Sequence, residues 1–110
     1  MKDDAVLLGL MLDAFGKIRE FIAAMSYEDF SKNSMAQSAV IMQLQVIGEL
    51  AKRVSDPTRA KIDVPWKQMA GLRDLVAHNY FILDIKVVWQ TVSESAKNAE
   101  EKIHAHIART

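Results

Sequence analysis

At 110 residues, half of them apolar, the chain has material for one compact all-helical or mixed domain around one core, and residues 1–110 are expected to form it. Fourteen basic residues balance fourteen acidic ones, which excludes a protein that coats nucleic acid through bulk charge and confines any RNA contact to a local patch. The absence of cysteine removes disulfides, thiolate zinc sites and thiol nucleophiles together, and fits a cytoplasmic location.

The N-terminal segment carries Asp3 and Asp4 close behind Lys2, and its apolar run is broken by Asp13, Lys17 and Arg19, so neither a signal peptide nor a membrane span is expected. Leu7, Leu10, Met11, Ala14, Ile18, Phe21, Ile22 and Met25 recur at steps of three and four, the signature of one buried helix face, with Asp3 or Asp4 placed to cap it. Gly9 and Gly16 lie seven apart on nearly one side of that helix, a spacing suited to close approach by another helix or to two tolerated glycines. Ser26-Tyr27-Glu28-Asp29 reads as a cap followed by acids in a first turn, giving a short helix that stops near Asn33.

A second long helix is predicted from Ser34 to Val54, burying Met35, Val40 or Ile41, Leu44, Ile47, Leu50, Ala51 and Val54, and ended by Asp56-Pro57. Residues 61–64 form an irregular link. Pro65 then suits the first turn of a third helix with Trp66, Met69, Leu72 and Val76 on its apolar stripe. Asp84 is placed to cap a last helix whose inward positions are Ile85, Val88, Trp89, Val92, Ala96, Ala99 and Ile103. With no alternating strand pattern and no hairpin dipeptide, the expected architecture is all-α: an antiparallel bundle of four main helices with a short extra turn near residue 28, four to five helices in all.

Chemistry concentrates in Arg73-Asp74-Leu75-Val76-Ala77-His78-Asn79-Tyr80, where a guanidinium, a carboxylate, an imidazole and a phenol fall within one short segment. A guanidinium can hold phosphoryl charge while an imidazole moves protons near neutral pH, so the pair can cleave a phosphodiester without metal. On an unbroken helix Asp74 faces His78, whereas Arg73, five residues earlier, is turned away from it by about 140°. Either the helix unwinds near His78, or two chains meet about a twofold axis and place both Arg73 and both His78 around one groove. In the dimer, one imidazole takes the proton of a ribose 2′-hydroxyl and its mate protonates the leaving 5′-oxygen. Arg73 would stabilise the phosphoryl oxygens by about 3 to 4 kcal/mol, the scale of one oxyanion-hole donor. Asp74 would hold the His78 tautomer, and Tyr80 would reach phosphate or stack on a base. The plainer reading of Arg73 and Asp74 is a surface ion pair, and of His78 a favourable partner for a helix C-terminus.

Arg73-x-x-x-x-His78-x-Tyr80 resembles the R-x(4-6)-H-x-Y signature of HEPN domains, and its surroundings are similar to the HepT-like branch. The similar segments are Asp29-Phe30, Val46 through Arg53, Ile62 through Trp66, Ala70 through Asp74, His78 through Phe81, Leu83-Asp84-Ile85 and Val88-Trp89, in order along the chain. The resemblance implies a helical homodimer with its active groove at the subunit interface, and a metal-independent endoribonuclease that serves as the toxin of a toxin–antitoxin pair. It also implies a partner, a minimal nucleotidyltransferase (MNT) antitoxin that silences the toxin by transferring AMP to the motif tyrosine, here Tyr80. RNA is the expected substrate, with no DNA partner, no metal and no other cofactor. The chain departs from the pattern at Asp74, where catalytic HEPN domains often carry a neutral Asn; a carboxylate there repels phosphate unless it is paired. His104 and His106, two apart, face different directions and suit a metal poorly. The alternative is a non-catalytic subunit in which the same groove binds a nucleotide or docks the nucleotidyltransferase.

Overall fold

The computed structural model describes residues 2–74 and 84–110. Among them every regular element is helical. Helix α1 (Lys2–Ile22) is followed by α2 (Tyr27–Ser31), α3 (Ser34–Arg53), α4 (Asp56–Lys61) and α5 (Trp66–Gly71), and α5 tightens into a 3-10 turn over Leu72–Asp74. The last helical rod comprises α6 (Ile85–Gln90), a π-helical stretch over Thr91–Ser95, and α7 (Ala96–Arg109). No helix of the described residues is long and apolar enough to cross a membrane.

Leu8, Met11, Ala14, Phe15 and Ile18 of α1 share one core with Val40, Ile41, Leu44, Ile47 and Ala51 of α3, closed by Met69 of α5 and by Val88, Val92, Ala96, Ala99 and Ile103 of the last rod. Fully burying each large apolar side chain contributes about 1.5–3 kcal/mol, so this shared stripe, rather than helix propensity, holds the elements together. Helices α1 and α3 run antiparallel, as the tie between their ends shows. Asp4 at the start of α1 accepts hydrogen bonds from the Ser55 amide and hydroxyl and from the Thr58 hydroxyl, just beyond the end of α3. Asp4 is therefore a buried cross-link and not a helix cap, and these donors, Ser55 first, hold its carboxyl well below the usual carboxylate range. At the other end of α1, Arg19 donates to Glu100 of α7 at 2.9 Å, and that carboxylate raises the affinity of the guanidinium for its proton.

Several local signals act as read. Ser26 and Asp29 form a reciprocal capping box, Asn33 caps α3 through the Ala36 amide, and Asp84 caps α6 through the Lys86 amide. Others are corrected. Leu10 and Phe21 are exposed and Leu8 and Phe15 are buried, because the buried face of α1 is turned by less than half of a residue's roughly 100° while Met11, Ala14 and Ile18 stay within it. Met35 is 81% exposed, while the next residue of the same turn, Ala36, is buried. Asp56-Pro57 ends α3 and also opens a helix, α4, with the proline at its start where a missing amide hydrogen is harmless. Pro65 caps α5 rather than entering its first turn. Among the described residues the predicted bundle consists of three long rods and three short helices, with α5 six residues long before its 3-10 turn and the rest of the predicted third helix outside the described residues.

The glycine expectation moves to another helix. A Cβ on Gly9 would meet nothing within 4 Å, and one on Gly16 would meet only the end of the Arg19 side chain, so neither supports a close helix crossing. Gly48 does. A Cβ there would lie 2.4 Å from the backbone nitrogen of Arg73, 2.9 Å from the Met69 carbonyl oxygen and 3.0 Å from the Leu72 carbonyl carbon. The backbone of α5 and its 3-10 turn rests directly on that of α3 at this point.

Candidate functional site

Arg73 owes its position to contacts made by the chain around it. Arg59 of α4 donates to the Ala51 and Lys52 carbonyls at 2.9 and 2.7 Å, satisfying the open C-terminal end of α3. Trp66 opens α5 and donates its indole N–H to the Arg59 and Ile62 carbonyls at 3.1 and 2.9 Å. Met69, buried below them, and Gly48 then bring the 3-10 turn against α3. A rigid frame thus carries the backbone of Leu72–Asp74.

The side chains above this frame alternate in charge. The Arg73 guanidinium lies 3.5 Å from the Asp74 carboxylate through Nε and 3.8 Å from Glu49 through Nη1. The other oxygen of Glu49 lies 3.5 Å from Nη2 of Arg53, one helical turn further along α3. All four side chains are at least one-third exposed, with Arg73 at 36% and Arg53 at 64%. Exposed pairs at such distances are worth under about 1 kcal/mol each, so they orient the guanidiniums without locking them. Each guanidinium has five donors, and these contacts engage only one or two of its nitrogens.

Of the residues singled out in the sequence, Arg73 and Asp74 are adjacent here, on the 3-10 turn. Helix α5 gives way to the 3-10 turn after Gly71, and on that turn Asp74 pairs with Arg73; the expected facing of Asp74 and His78 lies outside the described residues. Pairing is the condition under which its charge repels an incoming phosphate least. His78 and Tyr80 lie outside the described residues. Glu49 is the site residue that sequence reasoning did not single out. Its signal was the Gly48-Glu49 dipeptide late in α3, informative only once Gly48 is known to touch the arginine turn. Among the described residues no group of three or more His, Asp or Glu side chains could hold a metal; His104 is exposed and His106 half-buried on α7.

The model of the HepT-like family, described as ribonuclease HepT-like, matches residues 11–105, from the middle of α1 through α3, the arginine turn and most of α7. The chain belongs to the HepT-like ribonuclease family. Its all-helical, strand-free described part is that of a HepT-like HEPN protein. Among the curated relatives, "Putative RNase MJ1380" of Methanocaldococcus jannaschii is 32% identical over 93% of this chain and 94% of its own length. "Probable ribonuclease HepT" of Thermococcus cleftensis is 37% identical over 82% of this chain and 83% of its own. No solved structure matches the chain.

Proposed function

We propose that this chain is a metal-independent endoribonuclease, acting as a homodimer and as the toxin of a toxin–antitoxin pair. The observation that carries the reading is membership of the HepT-like ribonuclease family over a stretch that includes Arg73 on its framed, exposed turn. In the proposed reaction a neutral His78 imidazole accepts the proton of a ribose 2′-hydroxyl as the 2′-oxygen forms a bond to phosphorus. The bond from phosphorus to the 5′-oxygen breaks, and the protonated His78 of the partner subunit supplies that oxygen with a proton. A 2′,3′-cyclic phosphate and a free 5′-hydroxyl result. Arg73 holds the non-bridging oxygens, exchanging its loose carboxylate contacts for phosphate.

Tyr80 is the proposed acceptor of AMP from an MNT-type nucleotidyltransferase. Esterified, its phenol would place phosphate charge and adenine bulk beside Arg73, closing the site to RNA without unfolding the protein. The carboxylate of Asp74 next to Arg73 favours a second reading, a non-catalytic subunit that grips a nucleotide or docks the nucleotidyltransferase.

Incubation of the purified protein with RNA in excess chelator separates the two. The wild type is expected to cleave, and His78→Ala to lose cleavage by at least about a hundredfold, the lower bound for a general acid–base group, while keeping its helical signal. Full cleavage by that variant refutes the assigned role, and no cleavage by the wild type favours the binding subunit. Peptide mass spectrometry after incubation with the nucleotidyltransferase and ATP is expected to place the AMP on Tyr80.

A further inference from the structure

The Glu49 carboxylate serves two cations at once. One oxygen faces Arg53 at 3.5 Å and the other faces Arg73 at 3.8 Å. A helix pair with Glu four residues before Arg is common surface chemistry and by itself leaves Arg53 with no task beyond its own helix. Here the same carboxylate also reaches the arginine turn. Because Gly48 has no side chain to hold the two backbones apart, the 3-10 turn rests on α3 and one carboxylate of α3 reaches both guanidiniums.

Arg53 is the more exposed of the two, at 64% against 36%, and among the described residues its ion pair is with Glu49 alone. Glu49 uses one nitrogen of each guanidinium at ion-pair distance, and no hydrogen bond joins either arginine to it among the described residues. The remaining donors of both are not engaged by Glu49. Two planar forks that share one carboxylate can each take one anionic group, and every nucleotide of a sugar–phosphate strand presents one. The balanced net charge of the chain makes such a local pair the means by which a strand can be held without a broad basic surface.

We propose that Arg53 is a second phosphate-binding residue, gripping the backbone phosphate adjacent to the one held by Arg73, so that the preferred substrate is a single strand offering at least two successive phosphates. Glu49 is then a positioning residue that spaces the two cations. The inference deepens the ribonuclease reading and rests on it for its kinetic arm, while its binding arm does not.

Two substrates of different length test it: the diribonucleotide UpU, with one phosphodiester, and hexauridylate. Arg53→Gln is expected to lower the ratio of kcat/KM for the hexamer to that for the dimer by about tenfold, the size of one charge-assisted contact, through KM. Arg53→Lys is expected to restore much of the ratio. In parallel, binding of 2′-O-methyl hexauridylate, which cannot be cut by its own 2′-oxygen, is followed against salt. The slope of log affinity against log salt is expected to fall by about 0.7 in Arg53→Gln, the value for one phosphate contact on a single strand. An unchanged ratio and an unchanged slope, in a variant whose melting temperature matches the wild type, overturn the proposal and return Arg53 to a helix ion pair. A reduced slope in a wild-type background that cuts neither substrate sustains the phosphate contact and defeats the ribonuclease reading alone.

Discussion

Gly48 shows how much one missing methyl group can decide. With the Arg73 backbone nitrogen only 2.4 Å from where a Cβ would stand, Gly48→Ala forces α3 and the arginine turn apart. Overpacking of this kind costs about 1–3 kcal/mol, and here the displaced atoms belong to the residue meant to hold phosphate. Denaturant unfolding is expected to show a loss in that range, and RNA cleavage a larger proportional drop than the same variant's loss of folded protein. Asp4 acts at the same end of α3, just beyond its last turn. Since hydrogen bonds from Ser55 and Thr58 depress its folded pKa below the ordinary value of 3.8, its ionised form stabilises the fold fully above that value and progressively less as pH falls below it. Asp4→Asn is expected to melt well below the wild type at pH 7, and the gap to narrow below about pH 4. A gap independent of pH would mean that the side-chain shape matters and its charge does not. Sequence alone marked Asp4 as a cap and passed over Gly48, because both act through residues far along the chain, fifty-one positions away for Ser55.

At the scale of elements, local chemistry was legible wherever the stabilising partner is also local. Ser26, Asn33 and Asp84 cap the helices that follow them, as their side chains and spacing imply. Ser26→Ala is expected to cost about 1 kcal/mol in denaturant unfolding, since it removes one half of a capping box and leaves an amide of α2 unpaired. Elements whose form depends on neighbours were read less well. Helix α4 hid behind Asp56-Pro57, because proline ends one helix and starts another with equal ease. In the last rod the inward positions Val88, Val92 and Ala96 are four apart, more than one ordinary turn, and the widened π stretch over Thr91–Ser95 keeps them on one side. Thr91 and Ser93 donate their hydroxyls to the Val87 and Trp89 carbonyls there, the back-bonding that loosens a helix locally.

For the whole molecule, the proposed twofold site makes a quantitative demand. If each active groove needs an imidazole from both protomers, a mixture of equal amounts of wild type and His78→Ala, refolded together, retains about a quarter of wild-type activity, because mixed dimers are dead. About a half, the figure for simple dilution, would show that each chain works alone. Composition, apolar periodicity and capping residues determined by themselves that this chain is helical and where α2, α3 and α6 begin, because those properties follow from contacts within a few residues. The tertiary structure alone decided that Gly48 rather than Gly9 or Gly16 is the point of closest approach, that Asp4 joins α1 to the far end of α3, and that Glu49 stands between Arg53 and Arg73. Such relations depend on where separate helices come to rest against one another, and that is fixed by the packing of the shared core rather than by any local run of residues.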